Sequence, residues 1–181
     1  MAGTLDAMNV SEILPFLGHT EQSAGLSSLL LSAGFDVAQM QGRVQRGHGV
    51  GHLELKPLGI ELAFQFHTDY KETYGTPEDE GKAVLSGVFA YDKAKKDRKA
   101  YNGPVPFTRG PLRNRSDALR EFGVPYHTEQ DDDEIDWDYW FKGGVQVGAF
   151  YRPDTTIEHL SFSVPFKTTL ERLNRPHTNS D

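Results

Sequence analysis

The first third of the chain places apolar residues at helical spacing. Residues 11–17 predict a short helical turn, and residues 21–33 predict a longer helix. One face of the longer helix carries four apolar residues: Leu26, Leu29, Leu30, Ala33. Thr20 can cap the start of this helix, and Gly34 suits the left-handed conformation that often ends one. The pattern therefore predicts one helical turn followed by an amphipathic helix.

After a glycine-rich stretch at residues 42–51, the apolar period changes from about four to two. Residues 52–56 alternate, and Ile60–Phe66 carries Ile60, Leu62, Phe64 and Phe66 on one face. Residues 83–91 predict another strand. Residues 70–81 are polar and predict a loop, and residues 92–110, rich in charge, Gly and Pro, predict a long connection.

The second half repeats this arrangement. Residues 116–122 predict a short helix with Leu119 and Phe122 inward, ended by Gly123, and an acidic loop is expected after it. Three strands should follow, at residues 136–141, 145–151 and 156–164. The tight turn between the first two is indicated by Gly143 and Gly144.

Each half thus contains a helix followed by antiparallel strands. The sequence predicts an α+β fold of two similar helix-then-antiparallel-strand units, which can share one sheet. We expect a single domain over residues 1–181, with pseudo-repeat halves at 9–91 and 104–166 and a polar tail at 167–181. The apolar faces of the two halves each need a cover, and one shared core supplies it.

Composition narrows the classes of protein to consider. Hydrophobic residues make up 37% of the 181 and aromatic residues 11%, which is enough for a globular core. The absence of cysteine excludes disulfides and thiolate metal sites. The first ten residues lack the basic and apolar regions of a signal peptide, and no apolar run is long enough to span a bilayer. We expect a cytoplasmic protein without a membrane partner.

The net charge of −7 is concentrated in one segment. Between Glu129 and Asp138 stand seven acidic residues and no basic one. An acidic surface repels nucleic acid and attracts basic protein surfaces. The charge therefore excludes nucleic acid as a partner and favours a basic protein.

Aromatic residues are interspersed with the acids of this segment. On a strand, Asp136, Asp138 and Trp140 share one face, opposite Trp137, Tyr139 and Phe141. Carboxylates around an exposed Trp have the composition of an interface hot spot. The predicted partner-binding residues are Asp131, Asp132, Asp133, Asp136, Asp138 and Trp140. A solvated acidic loop and a buried Trp at a sheet edge are the alternatives.

No motif of catalysis or metal binding is complete. His48 and His52 have the spacing of metal ligands on a helix, but glycines interleave them. The acidic segment lacks the glycine and glutamate positions of an EF-hand. We therefore expect no catalytic, cofactor or metal site. A metal-dependent enzyme using the acidic cluster with His127 as a base is the alternative.

Several segments along the chain together form a recognisable layout: residues 13–18, 32–35, 58–64, 84–91, 101–107, 115–125, 138–140, 144–147 and 157–162. This layout resembles bacterial immunity proteins encoded beside polymorphic or contact-dependent toxins, such as those delivered by Rhs or type VI secretion systems. The second half is also similar to the helix-then-strands unit of BamE-like domains.

The resemblance implies a toxin–antitoxin function without catalytic residues. An immunity protein binds a cognate toxin tightly and blocks or distorts its active site, so the implied partner is a toxin, with a basic surface to match the acids. A non-catalytic adaptor or assembly module shares every feature except the toxin. A toxin gene beside the gene for this chain would separate these two readings.

Overall fold

Segments of alternating apolar residues build one antiparallel sheet in the computed structural model, which describes residues 8–173. The strands are β1 (Val50–Leu55), β2 (Ile60–Phe66), β3 (Ala83–Tyr91), β4 (His127–Asp131), β5 (Glu134–Lys142), β6 (Val145–Tyr151) and β7 (Ile157–Ser163). Their order across the sheet is β1-β2-β3-β7-β6-β5-β4, and all neighbours are antiparallel. The sheet therefore consists of two meanders that meet at β3 and β7.

The helices are short. They are α1 (Val10–Ile13), α2 (Ala24–Ser32), α3 (His67–Thr73), α4 (Arg115–Phe122) and α5 (Lys167–Leu173), with 3-10 turns at Leu14–Phe16, Val37–Gly42 and Lys56–Leu58. Leu26 and Leu30 of α2 and Phe122 of α4 are buried in the same apolar cluster as one face of the sheet. Helices α1, α2 and α4 thus cover that face, and the core lies between them and the sheet.

The meeting of β3 and β7 joins the two halves of the chain. Val88 stands opposite Phe162, which in turn stands opposite Val147 of β6. All three side chains are fully buried. Because side chains alternate along a strand, this register fixes which residues of both meanders face the core.

The strands of the first half follow the sequence pattern closely. The predicted β2 and β3 are confirmed at the same boundaries, and β1 begins two residues before the predicted strand. In the second half, the predicted glycine turn is confirmed. Gly143 and Gly144 both have positive φ, at 56° and 81°, as a two-residue hairpin loop between β5 and β6 requires.

Two helical predictions need correction. The helix predicted at residues 21–33 begins only at Ala24, and Ser23 caps it by accepting from the N–H of Leu26. Thr20 is not the cap, because it forms an isolated β-bridge with Val84 near the start of β3. The loop predicted at residues 70–81 begins too early, because α3 extends to Thr73. This helix was missed because it lacks an apolar stripe and buries only Tyr70.

The acidic loop predicted after α4 is wrong. Residues 127–131 form the edge strand β4, which pairs with β5, and Asp132 and Asp133 form the turn between them. The β4 sequence, His-Thr-Glu-Gln-Asp, has no apolar alternation because neither face of this strand is buried. The strand also lies at the edge of the sheet, next to β5 alone. Charged and polar residues are usual on such an edge.

The predicted α+β class is confirmed, but the finer expectation of two similar units is corrected. A single sheet dominates the fold, and the helices of the two halves differ in number and placement. The polar tail predicted at residues 167–181 begins with α5, and residues 174–181 lie outside the described part of the chain.

The register at β3 and β7 predicts that the two halves unfold together. Phe162→Ala should lower the free energy of unfolding by about 3–5 kcal/mol, because it opens a cavity at the seam. The exposed Leu31→Ala is the control and should have little effect. Both tryptophans lie in β5, so their fluorescence reports the second half alone, whereas far-ultraviolet circular dichroism reports the whole chain. We expect the two signals to coincide in urea; separate midpoints would contradict one cooperative unit.

Candidate functional site

The residues predicted to bind a partner do not form one surface. Asp131, Asp132 and Asp133 are exposed at the β4–β5 turn, where the sequence analysis expected carboxylates. Asp136 is half-buried on β5. Asp138 and Trp140 are buried, so the expectation that they are exposed is wrong.

Asp138 is a structural anchor inside the fold. Its side chain has no exposed area and pairs with Arg115 of α4, whose Nε and Nη2 donate to the two carboxylate oxygens at 2.7 and 3.2 Å. The hydroxyls of Thr128 on β4 and Tyr151 on β6 also donate to Asp138. Hydrogen bonding to Asp138 raises the pKa of Arg115, and burial, with the nearby carboxylate, raises the pKa of Tyr151. This one carboxylate therefore ties α4, β4 and β6 to β5.

Trp140 belongs to the core next to this anchor. It is only 2% exposed, its ring centroid lies 5.2 Å from that of Phe122, and its indole N–H donates to the carbonyl of Gly123 at 2.9 Å. The even-numbered residues of β5 face α4, which reverses the orientation that the sequence analysis assigned. Trp140 therefore fixes the end of α4 on the sheet.

The opposite face of the sheet is rich in aromatic rings. We call it the aromatic face, and its members are Phe89 and Tyr91 on β3, Trp137, Tyr139 and Phe141 on β5, Phe150 on β6 and His159 on β7. All seven side chains are half-buried. Their rings contact one another across strands, since the His159 ring stacks on Phe150 at 4.3 Å and meets Phe89 and Tyr91 at 5.9 and 5.4 Å.

Two features of the backbone shape this face. A Cβ at position 148 would lie 2.7 Å from the Tyr139 ring and 3.1 Å from Phe150, so only glycine lets both rings lie over β6. On β3, the pairing with β2 skips Ser86, which forms a bulge and donates its hydroxyl to the carbonyl of Ala63. Bulges are common where a sheet bends around a binding site.

A groove of about 250 Å³ lies on the aromatic face beside this bulge. Its floor contains small side chains, Ala63, Gly87, Ser161 and Ser163, and its walls include rings from several elements. Tyr74, just after α3, and Phe166, just before α5, stack at 5.2 Å and line the groove too. The groove can therefore receive a narrow group between aromatic walls.

Burial keeps one histidine and several tyrosines on and around this face uncharged. Burial lowers the pKa of His159, which outweighs the opposite effect of Glu158, so its imidazole is neutral near pH 7. Burial likewise raises the pKa of Tyr74 and Tyr139, and raises that of Tyr126 to about 12. The face thus offers mainly ring surfaces and hydroxyl groups. Charged groups lie beside Tyr91, where the Arg98 guanidinium is 3.4 Å from the ring centroid and the Glu61 carboxylate accepts from the hydroxyl.

The histidines considered for chemistry lie apart. His52 pairs with Glu61 at 2.6 Å, and His127 pairs with Glu129 at 3.1 Å on the edge strand, while His48 is exposed before β1. Within residues 8–173, no three histidine or carboxylate side chains come together in a way that could hold a metal ion.

Comparisons with known proteins do not identify a family for this chain. No protein-family model matches the chain, and no curated protein matches it. Among solved structures, it is similar to a DUF4309 family protein (YjgB) from Bacillus subtilis subsp. subtilis. The identity is 15% and the TM-score 0.40, covering 72% of this chain and 76% of that chain. A likeness this weak carries no argument about function.

A search of residues 8–173 for membrane spans finds no helix with the length and apolar character to cross a bilayer.

Sequence reasoning missed the aromatic face, although a signal for it was present. Trp137, Tyr139 and Phe141 alternate on β5, and Phe89 and Phe150 occupy the positions of β3 and β6 that point away from the buried alternation. Their number on one side of a sheet could have indicated a second, uncovered apolar surface.

The burial of Asp138 predicts a strong dependence on Arg115. Arg115→Leu should lower the free energy of unfolding by about 3–5 kcal/mol, because it leaves a buried carboxylate without its cation. The double variant Arg115→Leu/Asp138→Leu should lose less than the sum of the two single losses. Urea denaturation measures both.

Arg120→Leu is the matched control, because Arg120 lies on the same helix and pairs with Asp117 at the surface. Its effect should be small. Equal losses for Arg115→Leu and Arg120→Leu would contradict the anchoring role of Asp138.

Proposed function

We propose that this chain is a non-catalytic binding protein of the immunity type, which neutralises a protein toxin by binding it through the aromatic face. The observation that carries the proposal is the set of half-buried rings on the side of the sheet opposite α2 and α4. The likeness of the sequence to immunity proteins supports the choice of a toxin as the partner.

The physical argument starts from what a solvated sheet face normally carries. An antiparallel sheet with helices on one face usually has polar residues on the other. Here Phe89, Trp137, Tyr139, Phe141 and Phe150 occupy such positions. Contiguous apolar surface of this kind typically marks an interaction site, and aromatic residues are enriched in interfaces. A partner would remove these rings from water.

The acidic turn at Asp131, Asp132 and Asp133 adds long-range attraction. It lies at the β4 edge of the sheet, on the hairpin that also carries Trp137 and Tyr139. A basic toxin would be steered toward this edge before the rings make contact. Asp138 and Trp140 support the hairpin from inside the fold and have no direct contact in this proposal.

An adaptor module would use the same surface, so the nature of the partner must be tested. The test is to express the protein encoded beside this gene in a bacterial host, alone and together with this chain. We expect the neighbour to arrest growth alone, and co-expression to restore growth and yield a stable complex. A harmless neighbour that still binds would favour an adaptor, and a neighbour that does not bind would contradict the proposal.

The binding face can be tested in the same assay with a matched pair of variants. Phe89→Arg places a charge on the aromatic face, whereas Leu31→Arg places it on the outside of α2, where Leu31 is 56% exposed. We expect Phe89→Arg to abolish rescue and Leu31→Arg to keep it, with both variants folded by circular dichroism. The reverse pattern would place the interface on the helical side.

The acidic turn should affect association more than dissociation. Changing Asp131, Asp132 and Asp133 to Asn should reduce the association rate with the toxin about tenfold at low salt, and should weaken its dependence on salt. The control changes three exposed acids elsewhere, Asp36, Glu72 and Glu80, to their amides. Stopped-flow or surface plasmon resonance measures the rates. Equal association rates for both triple variants would contradict a specific role of the acidic turn.

A further inference from the structure

The groove on the aromatic face has the size of a side chain. At about 250 Å³ it is smaller than most sites for drug-sized ligands, which occupy about 300–1,000 Å³. Its floor is flat because Gly87, Ala63 and the two serines Ser161 and Ser163 project little from the sheet. An elongated, narrow group would therefore fit better than a bulky molecule.

The walls of the groove favour a cation. Besides the core residue Phe162, five aromatic residues line it: Tyr74, Phe89, Tyr139, Phe150, Phe166. The faces of such rings attract Lys and Arg side chains, and Arg most often, because its planar guanidinium also stacks. No lysine or arginine of residues 8–173 is among the groove's lining residues, and the histidine among them, His52, contacts the carboxylate of Glu61.

The floor supplies acceptors for a donor-rich group. Gln65 lines the groove, and its Oε1 is buried without a hydrogen-bond donor in reach among the described residues. A buried acceptor without a partner is costly and calls for an explanation. The hydroxyls of Ser161 and Ser163 can accept hydrogen bonds as well. A guanidinium, with five N–H donors and no acceptor, is complementary to this set.

Carboxylates lie near the groove, and the guanidinium of Arg98 already lies 3.4 Å over the Tyr91 ring on the same face. His52 at its rim is held by the carboxylate of Glu61 at 2.6 Å, and the chain as a whole carries a net charge of −7. The exposed carboxylates of the β4–β5 turn belong to the same hairpin as Tyr139. A positively charged residue of a basic partner therefore meets attraction at long range and ring faces at short range.

We propose that the groove binds an arginine side chain of the partner, with the guanidinium between the aromatic walls and its N–H groups directed to Gln65, Ser161 and Ser163. This inference rests on the proposed function and names the group that the aromatic face recognises. An apolar side chain is the competing occupant, and the experiment separates it from arginine.

The probes are three blocked amino acids that differ only in the side chain: N-acetyl-arginine methylamide, its uncharged isostere N-acetyl-citrulline methylamide, and N-acetyl-norleucine methylamide. Each is titrated into the full chain while the ring resonances of Phe89, Tyr139 and Phe150 are followed by NMR. We expect saturable shifts with the arginine probe, and binding at least threefold tighter than with either neutral probe.

Gly87 offers a matched pair of variants. A Cβ at this position would lie 3.6 Å from the nearest atoms, Phe162 O and Ser163 Cβ, so Gly87→Ala fits without strain, whereas the longer side chain of Gly87→Leu fills the groove. Arginine binding should persist in Gly87→Ala and disappear in Gly87→Leu. If Gly87→Leu does not fold, Phe89→Leu serves in its place, and the loss of one ring should weaken arginine binding about threefold or more.

Equal or tighter binding of norleucine would overturn the inference in favour of an apolar occupant, and the absence of shifts with arginine would overturn it as well. The growth assay keeps this result separate from the proposed function. If folded Gly87→Leu still neutralises the toxin, the groove is not used and only this inference fails. If the wild-type chain does not neutralise the toxin, the proposed function fails first.

Discussion

The pairing of β3 with β7 is the constraint on which the rest of the structure depends. Without it the chain would be two separate meanders, each with an unpaired edge and one apolar face to cover. With it, Val88, Phe162 and Val147 stand side by side under the helices. The same register places Phe89 opposite Ser161, and Tyr91 opposite His159, on the other side of the sheet. One pairing thus sets both the core and the aromatic face.

The buried Asp138 extends this order to the far edge of the sheet. The edge strand β4 has only β5 as a neighbour in the sheet and presents mostly polar residues, so strand pairing and apolar packing alone hold it weakly. Thr128 of β4, Arg115 of α4 and Tyr151 of β6 all donate to the same carboxylate. The acidic turn at the end of β4 is therefore presented from a fixed support, which suits a surface that must meet a partner in one orientation.

The two parts of the acidic segment show why charge alone does not locate a site. Asp132 and Asp133 lie on a turn and remain in water, whereas Asp138, five residues further, is the most deeply buried acid of the hairpin. In sequence they look alike. Only the register of β5 against β4 and β6, together with the arginine from α4, distinguishes a solvated carboxylate from an anchoring one.

The sequence was sufficient where a single rule decides the structure. The alternation in Ile60–Phe66 predicts β2, and the pair Gly143 and Gly144 predicts a hairpin. It was insufficient where contacts with residues distant in sequence determine the structure. The strand β4 depends on pairing with β5, and the orientation of Trp140 depends on Phe122 and the carbonyl of Gly123. The groove unites residues from β1 to Phe166, so no local pattern could have located it.

The central claim is that partners bind the aromatic face and not the helical side. Hydroxyl-radical footprinting of the free chain and of its complex with the neighbour-encoded toxin tests this most directly, because aromatic side chains oxidise readily when water reaches them. The account predicts that complex formation lowers the oxidation of Trp137, Tyr139 and Phe150, and leaves that of the exposed Leu31 on α2 unchanged. Protection of Leu31 with unchanged oxidation of the three rings would contradict it.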